Sequence, residues 1–343
     1  MKTLKYILLV LVIVLNSCSN DDEATDETEK AKNIYICGYE RIGEFNVAKY
    51  WKNGEPIQLT DGTRDAETVA ITGSGNDIYI LGYEMNDEDN RIIKYWKNGV
   101  ATSITDGTRP VWAYGMTVAG NDVYVAGFEY NDENYSVAKY WKNGVAITLT
   151  SGKTNAEATA VAVSGSDVYV TGYEYDKLGH TVAKYWKNGE AVSLTGSTQF
   201  GSAAAIKIVN NDIYIAGHAN DANGTYAAKY WKNGVAIPLF GGSWASAITI
   251  ADNNVYAAGS ERNESDYEVV KYWKNGVGIS LTSGTTSADA TALAVAGYDV
   301  YVAGYEKNEK GYNVAKYWIN GVAKVIGSEN NHSGLTGIYI TNK

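Results

Sequence analysis

Lys49-Tyr50-Trp51-Lys52-Asn53-Gly54 is one copy of a string that returns throughout the chain: KYWKNG starts again at Lys94, Lys139, Lys184, Lys229 and Lys271, and KYWING starts at Lys316. Successive copies stand 45, 45, 45, 45, 42 and 45 residues apart. A period of about 40–45 residues is that of one four-stranded sheet in a radial array. Seven copies therefore predict an all-β, seven-bladed β-propeller of four-stranded antiparallel blades.

Working outward from the string, one unit runs from Ala158 to Thr195. Its four runs, ATAVAV, DVYVTGYE, HTVAKYW and EAVSLT, alternate with the period of strands and are named a to d. Asn-Gly separates c from d in every copy, as at Asn188-Gly189, which predicts a two-residue turn with positive φ at both positions. Strand a is rich in Ala and Gly, which suits the innermost position. Trp51, Trp96, Trp141, Trp186, Trp231, Trp273 and Trp318 lie farther out, and their seven-fold repetition reads as packing between blades. The lysine that opens each string has apolar neighbours and must snorkel or find a partner. The acids that offer one are Glu40, Glu84, Glu129, Glu174, Glu261 and Glu306, or Asp77, Asp122, Asp167, Asp212 and Asp299 before strand b.

The chain enters the fold at Asn33-Ile34-Tyr35-Ile36, a strand b without its strand a, and the missing strand appears as Gly334 to Ile340. Pairing the C-terminal strand with the first blade closes the ring and removes an open edge. Both ends then fall on the face that carries the uniform turns.

The composition agrees with such a fold. The 343 residues include 28 Tyr, 9 Trp and 36 Gly but only 3 Pro. A net charge of −10 argues against a nucleic-acid partner.

Residues 1–17 read as a signal peptide, with Lys2 and Lys5 ahead of the apolar run Ile7 to Leu15. The run ends in Leu15-Asn16-Ser17-Cys18, which resembles a bacterial lipobox and implies lipidation of Cys18. Residues 18–32 then form an acidic tether, and 33–343 the propeller. The acidic run after the cysteine resembles the surface-export signal of Bacteroidetes lipoproteins and implies a lipid-anchored outer-membrane protein exposed at the cell surface. Cys37 is the thiol left in the body. It stands where other copies carry Ala, Leu or Thr, so it reads as an inert core residue.

For function, the a–b and c–d turns are uniform whereas the b–c and d–a loops vary, which marks the loop face as the candidate binding surface. Just before strand a the copies carry Glu67, Trp112, Glu157, Ser202, Trp244, Asp289 and Gly334, expected to ring the channel mouth. Tryptophans that stack on a sugar plane and carboxylates that accept hydroxyl hydrogen bonds are what a glycan site needs. Trp112 and Trp244 read equally as plugs of the channel. Arg64, Arg109 and Phe200 are secondary candidates in the same loops.

No catalytic residue, cofactor or metal site is assigned. His180, His218 and His332 share no motif. Loops such as Asn86-Asp87-Glu88-Asp89 leave Ca²⁺ open but lack the EF-hand pattern. DVYVAGYE and DVYVTGYE resemble the core of bacterial β-propeller repeats, and the unit with YWKNG resembles uncharacterised repeat lipoproteins of the Bacteroidetes over residues 33–343. That resemblance implies the fold and no catalytic residue. The resulting expectation is a monomeric, non-catalytic binder of a glycan or an extracellular protein. A scaffold of an outer-membrane complex and a polysaccharide-active enzyme are its alternatives.

Overall fold

A computed structural model describes residues 32–197, 199–221 and 223–342. The signal peptide, Cys18 and all but the last residue of the tether lie outside the described residues. The described chain forms seven four-stranded antiparallel sheets. Blade 1 consists of Ser333–Asn342 as strand a, followed by Lys32–Ile42, Phe45–Lys52 and Glu55–Gln58. The expected closure is present, with pairing from Lys32↔Asn342 to Glu40↔Ser333.

Each c–d corner is the predicted turn. Asn188 and Gly189 have φ of 51° and 88°, and the other six Asn-Gly pairs match them. The asparagine side chain also locks the neighbouring corner. In blade 4, Asn188 Oδ1 accepts from the Val168 N–H at 2.9 Å while its Nδ2 donates to Asp167 at 2.8 Å.

The seven string tryptophans are between 0 and 4% exposed and sit between blades, as their repetition implied. Trp186 of blade 4 packs on Tyr124, Ala126 and Ala138 of blade 3.

The glycine of each GYE has a steric origin. Strand a bulges opposite it, at Ala158/Ala160 in blade 4 for example. A Cβ on Gly172 would then lie 1.9 Å from the Glu157 carbonyl oxygen. Six further blades repeat this approach. The bulge turns one residue per blade toward the axis, where three hydroxyls stitch their blade to the carbonyl of the next. Thr159 donates to the Ala203 carbonyl at 2.6 Å, Ser246 to Ala290 at 2.5 Å and Thr291 to Leu335 at 2.7 Å.

Six of the seven string lysines choose between the two sets of acids, while the seventh, Lys229, has Ala219 where the other blades carry the glutamate. Lys49, Lys94, Lys184 and Lys316 meet Glu40, Glu84, Glu174 and Glu306 at 2.5–2.7 Å. Lys139 pairs likewise with Glu129, and Lys271 with Glu261. Four of the aspartates instead hold the second lysine of the string, as in Lys187 to Asp167 at 2.8 Å, and Asp299, whose string carries Ile319 there, holds Lys32 at 2.9 Å. Cys37 is fully buried and its thiol is pushed up to about 11 by burial, so it stays protonated.

Candidate functional site at the channel mouth

The inner strands surround an axial channel made of two consecutive spaces. The upper one, about 410 Å³, is lined by Glu67, Tyr83, Arg91, Trp112, Tyr114 and Asp289 among others. Below the ring of bulge residues lies a second space of about 420 Å³. Val69, Tyr114, Ser246, Thr291 and Thr336 border both.

Glu67, Trp112 and Asp289 of the expected ring are thus brought together in one cavity. Gly334 occupies the ring position between Glu67 and Asp289, and the Tyr39 ring packs over it, 3.1–3.3 Å from where a side-chain Cβ would stand. Asn46 donates to Glu67 at 2.7 Å, and the Tyr83 hydroxyl donates to it as well. Asp289 accepts from the Ser260 hydroxyl at 2.9 Å and from the Trp244 indole N–H. Burial holds both carboxyls above the usual carboxylate range, although the donors and, for Glu67, Arg91 pull the other way.

The remaining ring residues serve their neighbours. Glu157 accepts from the Tyr114 and Tyr173 hydroxyls, whose own pKa values are raised first by burial. Trp244 is tied to Asp289. Arg64 pairs with Asp87, and Arg109 with Asp132 at 2.9 Å, so both are anchored on the rim. Phe200 lies edge-on to His180 with ring centroids 4.9 Å apart.

Arg91 is a residue that the sequence reading missed. Its guanidinium lies over Tyr83 at 4.5 Å and over Trp112 at 4.7 Å, while Phe128 stacks on Trp112 at 5.1 Å and 9°. The signal was available, since its symmetry mates are Asn46, Ser136, Thr181, Tyr226, Glu268 and Asn313. A charged residue that breaks the repeat is what the ring itself was chosen for.

The loop face is also less variable than its sequence. Every b–c loop after blade 1 opens with Asn or Asp and closes on one backbone turn, for example Asn86 N–H to the Asn90 carbonyl at 2.9 Å and Asn308 to Tyr312 at 2.9 Å. Asn86 Oδ1 is spent on the Glu88 and Asn90 N–H groups. Among the described residues no group of three or more His, Cys, Asp or Glu is arranged to hold a metal ion.

No family model and no curated protein matches this chain. Among solved structures it is similar to a puromycin-hydrolysing peptidase of Mycobacterium tuberculosis, at 10% identity and a TM-score of 0.57 over 85% of this chain and 53% of that one. An acylaminoacyl peptidase of Pyrococcus horikoshii gives 11% and 0.51 over 86% and 53%. The β-propeller domain of the Trilobed protease from Pyrococcus furiosus gives 9% and 0.53 over 86% and 95%. The chain spans about half the length of the first two. That propeller domain is described as having an open velcro topology, whereas the present ring is closed by its last strand. At these identities the likeness is one of fold.

The expected non-catalytic propeller for glycans or extracellular proteins is corrected on two grounds, and its scaffold and polysaccharide alternatives go with it. Three of the propellers that share this fold belong to proteins named as peptidases or proteases. The Trp112 indole meant for sugar stacking is also occupied, by Phe128 and Arg91.

Proposed function

We propose that this chain is a peptidase-type propeller, whose channel mouth selects and orients short peptides for hydrolysis. The observation that carries this reading is the pair of half-buried carboxylates, Glu67 and Asp289, that line one cavity. An α-ammonium in that cavity would meet carboxylates of opposite charge in a site partly shielded from bulk water, where such pairs are stronger than in the open. Tyr83, Trp112 and Tyr114 supply apolar wall for the first side chains. The fold shared with peptidase propellers supports the same reading without deciding it. Anchoring through Cys18 at the outer surface, in the manner of Bacteroidetes repeat lipoproteins, belongs to this proposal. Its check is loss of membrane fractionation in Cys18→Ser.

Titration calorimetry with tetra-alanine tests the peptide assignment. Asp289→Asn is expected to weaken binding about tenfold, the worth of one charge-assisted hydrogen bond. Both carboxyls titrate above their ordinary values and must be ionised to hold an ammonium, so affinity rises as pH climbs through the raised carboxyl range. It falls again above roughly pH 8, where an α-amine loses its proton. Affinity that is flat across this range, or unchanged in Asp289→Asn, would contradict the assignment.

A further inference from the structure

The lower space of the channel carries a charge that neither the repeat nor the mouth explains. Its lining is Ala, Val, Ile, Thr and similar neutral residues, with one exception among the described residues: Lys207, on strand a of blade 5 (Gly201–Val209). The same position in the other blades holds Thr72, Thr117, Ala162, Thr249, Ala294 and Tyr339. Lys207 therefore breaks the repeat, as Glu67 and Asp289 do above it. It stays in contact with channel solvent, yet the encircling strands withhold bulk water and push its ammonium below the usual lysine range. No carboxylate lines this space. Here an enclosed cation is faced by neutral residues alone.

The axis consequently carries two acids and the ring-stacked Arg91 at the mouth, and a single base below the hydroxyl ring. Its two ends are separated by five residues of strand a, of which the bulge absorbs one. Four strand rises amount to about 13 Å. An extended tetrapeptide spans about 13–14 Å between its ends.

We propose that Lys207 is a binding site for the α-carboxylate of a short peptide, so that the channel recognises peptides of about three to five residues with both ends free. This rests on the peptide reading of the mouth and adds what that reading leaves open, the free C-terminus and the length. The amine docks between Glu67 and Asp289, the chain passes the ring of Tyr114, Ser246, Thr291 and Thr336, and the carboxylate closes on the Lys207 ammonium. The neutral wall below the ring penalises any other anion-poor ligand through the uncompensated lysine.

The test compares tetra-alanine with its C-terminal amide by calorimetry on the wild type, Lys207→Met and Lys207→Arg. Thermal melts verify that each variant is folded. Amidation is expected to cost the wild type about tenfold to a hundredfold in affinity, the range for a hydrogen-bonded charge. It should cost Lys207→Met little, because that variant has already lost the preference, and Lys207→Arg should retain it. If acid and amide bind the wild type equally well, the Lys207 assignment falls while the mouth assignment stands. If discrimination persists undiminished in Lys207→Met, the carboxylate is read elsewhere and the assignment again falls. If neither peptide binds, both are overturned.

Discussion

Deletion of residues 333–343 is expected to abolish the folded monomer. Ser333–Asn342 is the innermost strand of blade 1, hydrogen-bonded along Lys32–Ile42 although nearly 300 residues separate the partners. It brings Leu335, 1% exposed, and Ile338, 8% exposed, into a cluster with Ile36, Trp51, Tyr301 and Ala315 from blades 1 and 7. Burying two such side chains is worth about 3–6 kcal/mol. The deletion also breaks the strand's backbone hydrogen bonds and removes the Thr336 hydroxyl, which lies 2.8 Å from that of Thr68 in blade 2. Against a total stability of roughly 5–15 kcal/mol the sum is decisive. The exposed edge of Lys32–Ile42 would then recruit other chains. Size-exclusion chromatography should show aggregate or no soluble product, whereas a monomer with the wild-type melting temperature would contradict ring closure.

The second large effect is expected at Trp186→Ala. Trp186 is 1% exposed and fills the seam between blades 3 and 4, against Tyr124, Ala126, Ala138, Ala156 and Ala158. Those small neighbours come from rigid paired strands and cannot move in to fill the space, so the change leaves most of its cavity in place. The loss should be about 3–5 kcal/mol by urea unfolding. The mouth is built from other residues, so tetra-alanine binding measured well below the unfolding range should be kept. A midpoint shift that corresponds to under about 1 kcal/mol would mean that the indole is not the seam's main filler.

The repeat made the fold legible because each of its parts has a local physical cause. Asn188-Gly189 forces a turn by itself, alternation in DVYVTGYE assigns its faces, and an orphan strand b at Asn33 requires a strand a elsewhere. Partner choice was harder. Glu174 and Asp167 offer the same chemistry at similar distance in sequence from Lys184 and Lys187, and only the cross-strand register sends Glu174 to the first lysine and Asp167 to the second. The role of Gly172 was likewise hidden, since the bulge that presses Glu157 against it is a pairing irregularity and not a composition signal.

At the mouth, reading down the aligned column brought out Glu67, Trp112 and Asp289, which share one cavity, but not the contacts that the indoles make. Arg91 reaches Trp112 from the preceding blade, a contact that no single repeat contains. The b–c loops misled in the opposite sense. Their side chains differ, but an Asn or Asp at the first position imposes the same turn on each, so sequence scatter overstated the diversity of that face. Lys207 lay in a column that had not been compared across blades. The same question, which position departs from its six mates, would have found it.

The functional account stands on a channel with acids at its mouth and a base within, and a crystal grown with saturating tetra-alanine tests it most directly. The account predicts an extended peptide on the axis, its amine between Glu67 and Asp289 and its carboxylate about 3 Å from Lys207 Nζ. A peptide seated in reverse, or bound on the outer loops with the channel holding only solvent, would contradict it.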